Sequence, residues 1–353
     1  MGKNNRITTK QARNIKARHQ RLLKEVQETE NLPSDDSLGP LISGTVISRY
    51  GKQADIESDT DLSVHRCYIR RTIDGLTTGD KVLFRINVKE ETEQNGLVEV
   101  LQPRVSLLCR PDYYDGLKPV AANITRILIV TSKEPEFSTN IIDRYLIACT
   151  HAGIKPVIII NKSDIFTPEE KEETCRYMNT YSEIGFSSVW ISTATGEGIE
   201  ELRRLITGQT TILVGQSGVG KSSIINRLIP DAEAVTNTVS DISGLGQHTT
   251  TSSRLYHLPD NTTIIDSPGI REFGLWHLTG EEVIKGYPEF TEFTSRCKFR
   301  DCRHRNDPGC ALVEAVNNGK VAEFRYNNYH RILESSQQNA PSSFTSPGKK
   351  TRK

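Results

Sequence analysis

Nowhere in its 353 residues does the chain hold an apolar run close to the roughly 20 residues that a membrane-spanning helix requires. No apolar core follows Met1, as a secretory leader would show, and Arg6 stands where a myristoylated N-terminus needs Ser or Thr. A cytoplasmic protein with no membrane partner is expected. Cysteine is scarce, and its count of seven is odd. Cys67, Cys109, Cys149 and Cys175 are scattered, whereas Cys297, Cys302 and Cys310 cluster. That distribution suits reduced thiols plus one metal site and argues against a disulfide framework. The net charge is only +1, which by itself points to no partner. Its spread is uneven, however. Residues 1–24 carry eight Lys and Arg without one Asp or Glu, and the far end closes on Lys349, Lys350, Arg352 and Lys353. Two basic arms fit a polyanionic partner, with RNA foremost; two solvated tails are the alternative.

What the chain does contain is organised around Gly215-Gln216-Ser217-Gly218-Val219-Gly220-Lys221-Ser222. This fits G-x-x-x-x-G-K-[ST], the phosphate-binding loop. A buried strand is predicted over 211–214 and a helix from Ser223 to 228, the context the motif needs. Glycines let successive N–H groups curl toward an anion, and the helix N-terminus adds partial positive charge. Lys221 can reach the outer phosphates and Ser222 can ligate Mg²⁺.

The 353 residues are expected to form two or three domains. Residues 1–37 read as a basic, disordered arm. Five short β-rich runs over 38–107, separated by Gly51, Gly75, Gly79 and Asn95-Gly96, have the size of an OB-type barrel. Arg49, Tyr50, Lys52, Arg66, Tyr68, Arg70 and Arg71 could line a nucleic-acid face on it; a spacer or protein-docking barrel is the alternative. From 118 to 275 the pattern alternates: strands over 124–130, 155–160, 188–192 and 262–265, and helices over 140–149, 168–181 and 199–206. Repeated βα units imply a mostly parallel α/β sheet with ligands at the strand C-terminal ends. A helical module over 276–335 and a basic tail over 336–353 complete the chain.

Asn161-Lys162-Ser163-Asp164 ends one of those buried strands. A carboxylate only accepts hydrogen bonds, and guanine offers it two adjacent donors that adenine lacks, so Asp164 selects guanine. Asn161 can brace neighbouring loops, the Lys162 stem can cover the base, and the backbone of Ser192, Thr193 and Ala194 can meet the guanine oxygen. Asp266-Ser267-Pro268-Gly269 fits D-x-x-G, in which Asp266 serves Mg²⁺ and the Gly269 N–H serves the γ-phosphate. Between these motifs lies a long segment ending His248-Thr249-Thr250-Thr251, where Thr250, with Thr249 close behind, is the candidate switch ligand for Mg²⁺.

The motif order is unusual, since the base-reading segment precedes the phosphate loop. Joining the old termini and cutting after D-x-x-G produces this order. The second switch then leads directly into the C-terminal module. There Cys297-x4-Cys302-x-His304-x5-Cys310 supplies a tetrahedral zinc set with no open position, which marks the zinc as structural. Cys302 and His304 are expected on one side of an extended strand.

Taken together, these motifs resemble the small ribosomal subunit biogenesis GTPase RsgA (YjeQ) family over essentially residues 38–335. The resemblance implies a GTPase that is slow alone, stimulated by the 30S subunit, and active in late 30S maturation near the decoding region. GTP and GDP, 16S rRNA and the 30S subunit are the implied partners of a monomer. It also points to His248 as the catalytic candidate, because Ile270 occupies the place of a water-positioning Gln. His248 serving only to contact RNA or to pack is the alternative. A zinc RNA-binding factor with a regulatory nucleotide site that turns over little is the second functional reading, and an ATPase or kinase, opposed by Asp164, the third.

Overall fold

A computed structural model describes residues 38–87, 96–112, 116–229, 253–267, 275, 278–305 and 307–338. The β-rich runs at the start become β1 (Leu38–Tyr50), β2 (Gln53–Ser58), β3 (Val64–Ile69), β4 (Lys81–Asn87) and β5 (Gly96–Leu101). β1 is long enough to pair with β4 through Leu41–Thr45 and with β2 through Gly44–Tyr50. β2 continues to β3, β3 runs parallel to β5, and β5 returns antiparallel to β4. The ring is therefore closed in the order β1-β2-β3-β5-β4, the OB arrangement. Ala54, Ile56, Val82, Phe84 and Val98 fill it.

An antiparallel hairpin, β6 (Leu107–Asp112) and β7 (Gly116–Ala122), leads out of the barrel. The α/β region then runs β8 (Arg126–Ser132), α1 (Thr139–Ala152), β9 (Lys155–Asn161), α2 (Pro168–Glu183), β10 (Ser188–Trp190), α3 (Ile199–Ile206), β11 (Thr210–Val214), α4 (Lys221–Leu228), β12 (Arg254–Leu258) and β13 (Thr262–Asp266). The helix predicted from Pro168 is fixed locally: Thr167 accepts from the Glu170 N–H while the Glu170 side chain returns to the Thr167 N–H. Strands β10, β9, β8, β11 and β13 are parallel, and only β12 runs against its neighbour. Near-continuous Ile, Leu and Val in β8, β9 and β11 reflects burial on both faces. The chain proceeds from β8 to β9 and β10 on one side and from β11 to β13 and β12 on the other, so the switch point at which such sheets bind ligands lies at the C-terminal ends of β8 and β11.

The C-terminal module contains α5 (Gly280–Ile284), α6 (Thr291–Thr294), α7 (Ala311–Asn317) and α8 (Glu323–Gln338). It is seated on α1. Ile147 of α1 belongs to the module's apolar core, and Arg325 of α8 is ion-paired with Asp143 of α1 and with Glu289. Arg325 and Asp143 are essentially sealed from solvent, and Tyr181 and Asn328 also donate to the Asp143 carboxylate. Breaking such a pair by removing one partner typically costs about 3–5 kcal/mol, because the other charge is left buried alone.

Candidate guanine-nucleotide site and metal centre

β11 delivers the phosphate loop and α4 begins at Lys221, with Gly215, Gly218 and Gly220 all at positive φ. No side chain fits at Gly215, where a Cβ would lie 2.2 Å from the Val130 carbonyl oxygen, or at Gly220. The Gly220 φ is +93°, and a Cβ there would lie 2.3 Å from Asn161 Nδ2. Lys221 folds over the loop, its Nζ donating to the carbonyls of Gly215 and Gln216 at 2.8 and 2.7 Å. Gln216 is half-buried, Ser217, Ser222 and Ser223 are exposed, and Val219 is buried beneath the loop.

β9, two strands away from β11, ends at Asn161, which is fully buried. Its Nδ2 donates to the Val219 carbonyl at 2.9 Å, so the Asn161–Asp164 turn and the loop from Gly215 to Ser222 are directly joined. The Asn161 Oδ1 is buried with no partner among the described residues. Lys162 adopts the left-handed conformation at φ 60° and reaches the Glu134 carbonyl. Asp164 is exposed, and one of its oxygens accepts from Ser192 Oγ at 2.5 Å. Thr193 is half-buried and Ala194 exposed on the same turn. One further residue of this corner carries no signal in the sequence. Glu197 accepts from Ser163 Oγ at 2.8 Å, tying the turn after β10 to the turn after β9. No short motif marks that contact, which spans 34 positions.

Asp266 ends β13 beside β11. Burial raises its pKa above the usual carboxylate range, while Lys221 and the Ser267 N–H act in the opposite sense. His248, Thr249, Thr250, Thr251, Gly269 and Ile270 lie outside the described residues, as do the arm 1–37 and residues 339–353 of the tail.

In the C-terminal module the ligand atoms of Cys297, Cys302, His304 and Cys310 all lie within 4.8 Å of one another. Cys297 Sγ is 3.5 Å from His304 Nδ1 and 4.0 Å from Cys310 Sγ, and Cys310 Sγ is 3.7 Å from His304 Nδ1. A tetrahedral ion bound at about 2.0–2.3 Å sets its ligands roughly 3.4–3.8 Å apart, so the four fit a metal. The expected extended strand is not there. Cys302 and His304 lie in a turn in which His304 has φ 58°, and the Asp307 carboxylate gathers the Arg303 and Arg305 N–H groups. A left-handed residue brings the imidazole round to the cysteines, which strand alternation would not. The His304 carbonyl is held by Tyr326 and His330 of α8.

On the barrel, Arg49, Tyr50, Arg66 and Arg70 among the candidate surface residues have partners within it. Arg66 pairs with Asp55 and lies over the Tyr50 ring at 4.8 Å, Arg70 is bidentate on Glu99, and Arg49 donates to the Leu76 carbonyl. Lys52, Tyr68 and Arg71 are exposed.

Comparison with known proteins agrees with this geometry. The RsgA GTPase family model matches residues 101–276. The small ribosomal subunit biogenesis GTPase RsgA of Photorhabdus laumondii is 50% identical over 340 residues, covering 95% of this chain and 96% of that protein. The crystal structure of YjeQ from Thermotoga maritima superposes with a TM-score of 0.67 at 28% identity, covering 84% of this chain and 99% of that one. The structure of YloQ, described as a circularly permuted GTPase, shares the fold with a TM-score of 0.65 at 24% identity, covering 88% of this chain and 99% of that one.

Proposed function

Since the chain belongs to the RsgA family of GTPases, we propose that it hydrolyses GTP in late maturation of the small (30S) ribosomal subunit, slowly alone and faster when bound to that subunit. The observation that carries this reading is the Asn161–Val219 hydrogen bond, which joins the base-reading corner to the phosphate loop in one crevice.

In this reading Asp164, oriented by Ser192 Oγ, takes the two guanine donors. The Lys162 stem covers the base and the Thr193-Ala194 backbone meets its oxygen. Gly215 to Ser223 cradle the phosphates, with Lys221 exchanging its loop carbonyls for phosphate oxygens when GTP arrives. Mg²⁺ would be held by Ser222 and Thr250 with Asp266 behind it, where it neutralises charge on the outer phosphates. Gly269 senses the γ-phosphate, and His248 positions or deprotonates the attacking water. Zinc at Cys297, Cys302, His304 and Cys310 is structural and fixes a turn on which Arg296, Lys298, Arg300 and Arg303 stand exposed. With the barrel (38–107) and the basic segments (1–37 and 336–353), that turn contacts 16S rRNA. The GTPase unit spans 118–275 and the zinc module 276–335; the protein works as a cytoplasmic monomer.

The test is GTP turnover with and without isolated small subunits. Stimulation by subunits in wild type and its loss in His248→Ala are expected. Equal stimulated rates in the two proteins would remove His248 from the mechanism, and an unstimulated wild type would refute the proposed partner.

A further inference from the structure

Three hydrogen bonds form a path that none of the motifs predicts. The Ser253 carbonyl accepts from two barrel hydroxyls, Ser48 Oγ at 2.9 Å and Thr78 Oγ1 at 3.1 Å. Ser253 Oγ donates to Ser267 Oγ at 2.8 Å. Ser267 is the chain neighbour of Asp266, which ends β13 beside the strand that delivers the phosphate loop. Ser48, Thr78 and Ser267 are all buried, so water does not compete for these groups. The barrel end of the path is itself held firmly. Thr78 bridges to Ala121, the Ala122 N–H donates to the Thr78 carbonyl, and the Gly79 N–H donates to Val46 of β1. Ser48 pairs with Arg254, where β12 meets β1.

Position gives the path its meaning. Ser253 stands three residues after Thr250 and immediately precedes β12, while Ser267 follows Asp266 at the end of β13. The barrel thus grips Ser253 directly and reaches Ser267 through it, at the points where the two candidate switch segments join the sheet. We propose that Ser253 and Ser267 are positioning residues that couple the barrel to the nucleotide state, so that whatever engages the barrel sets the placement of Asp266. This rests on the GTPase reading above and adds the route by which a barrel-bound partner acts on hydrolysis. A ligand that shifts Asp266 shifts the barrel by the same coupling free energy, since linkage is reciprocal.

The reciprocity supplies a test that needs no ribosomal subunit. Amide hydrogen exchange is measured on the full chain loaded with GDP or with the β,γ-imido analogue of GTP. In wild type, protection over residues 44–50 and 76–80 is expected to differ between the two states. In Ser253→Ala, which keeps the carbonyl but removes the link to Ser267, the difference is expected to vanish. Ser48→Ala combined with Thr78→Val cuts the path at the other end and gives the same result, so one poorly folded variant does not decide the matter. With subunits present, both variants are expected to lower the stimulated kcat about tenfold with KM for GTP unchanged, the signature of an interaction made in the transition state. Identical exchange in the two nucleotide states of wild type, with nucleotide verified as bound, overturns the proposal. So does a difference that survives Ser253→Ala. A wild type that subunits fail to stimulate refutes the proposed partner instead, and the exchange experiment still decides the coupling.

Discussion

Gly220→Ala offers a sharp test of the crevice, because its cost divides into two parts that a second substitution separates. The new methyl would sit 2.3 Å from Asn161 Nδ2, far inside van der Waals contact, at a backbone φ of +93°. A non-glycine residue at positive φ costs roughly 1–2 kcal/mol. Pushing Asn161 aside also separates its amide from the Val219 carbonyl, and leaving such buried groups unpaired costs roughly 1–3 kcal/mol. The sum, about 2–5 kcal/mol, is expected as lost folding stability, read as a lower urea midpoint of the nucleotide-free protein. Asn161→Ala alone forfeits the bond and costs about 1–3 kcal/mol. In the double variant the methyl meets no amide, so Gly220→Ala adds only the backbone strain. The cycle, read by urea unfolding of the nucleotide-free protein, is therefore expected to be non-additive by about 1–3 kcal/mol. Additivity within about 0.5 kcal/mol, the behaviour of independent sites, would refute the reasoning.

Three further outcomes follow from the same geometry. Asp164→Asn replaces an acceptor-only group with an amide that can also donate; GTP is expected to weaken about a hundredfold and xanthosine triphosphate, which carries an oxygen in place of the 2-amino group, to gain, as competition binding would show. Asp266→Asn should raise the melting temperature of the nucleotide-free protein at pH 7 while impairing Mg²⁺-dependent GTP turnover. The sign follows from burial lifting the Asp266 pKa above its ordinary 3.8: the folded state holds the proton more tightly, so the stabilising contribution is present at low pH and lost as pH rises through the folded value. Melting scans of the two proteins should converge below about pH 4 and diverge above it. Finally, elemental analysis should find one zinc per chain and none after Cys302→Ser; a strong chelator should lower the melting temperature and leave GDP affinity within about threefold, because the metal would stabilise the module that it folds.

Motifs with short spacing are legible in the residues themselves. The phosphate loop, the NKSD turn and the Thr167 cap each declare themselves within a few positions, and burial on both faces makes β8, β9 and β11 continuous apolar runs. Other features are disguised or distant. The hairpin of β6 and β7 contains Pro111 and Pro119, which speak against strands but are tolerated in a two-stranded sheet, where both strands are edges. The turn at His304 breaks the expected alternation because its left-handed backbone carries no glycine as a marker. Arginines on the barrel read as free for RNA, yet Asp55 and Glu99 claim Arg66 and Arg70 from 11 and 29 residues away. Arg325 and Asp143 lie 182 residues apart, and the contacts of Ser253 rest on serines and a threonine, which have no distinctive pattern at all.

The junction of β1 with β12 also bears on how the protein can be handled. With Ser48 seated against Arg254, the barrel lies along the last strand of the α/β sheet, and eleven strands form one hydrogen-bonded ribbon. A fragment that starts after residue 107 strips this cover and bares the flank of β12, with Ser253 deprived of both its barrel donors. Unprotected flanks of this kind invite strand-to-strand self-association. Such a fragment should stick to its own copies in solution, and activity lost on trimming would then report aggregation as much as any missing contact with RNA.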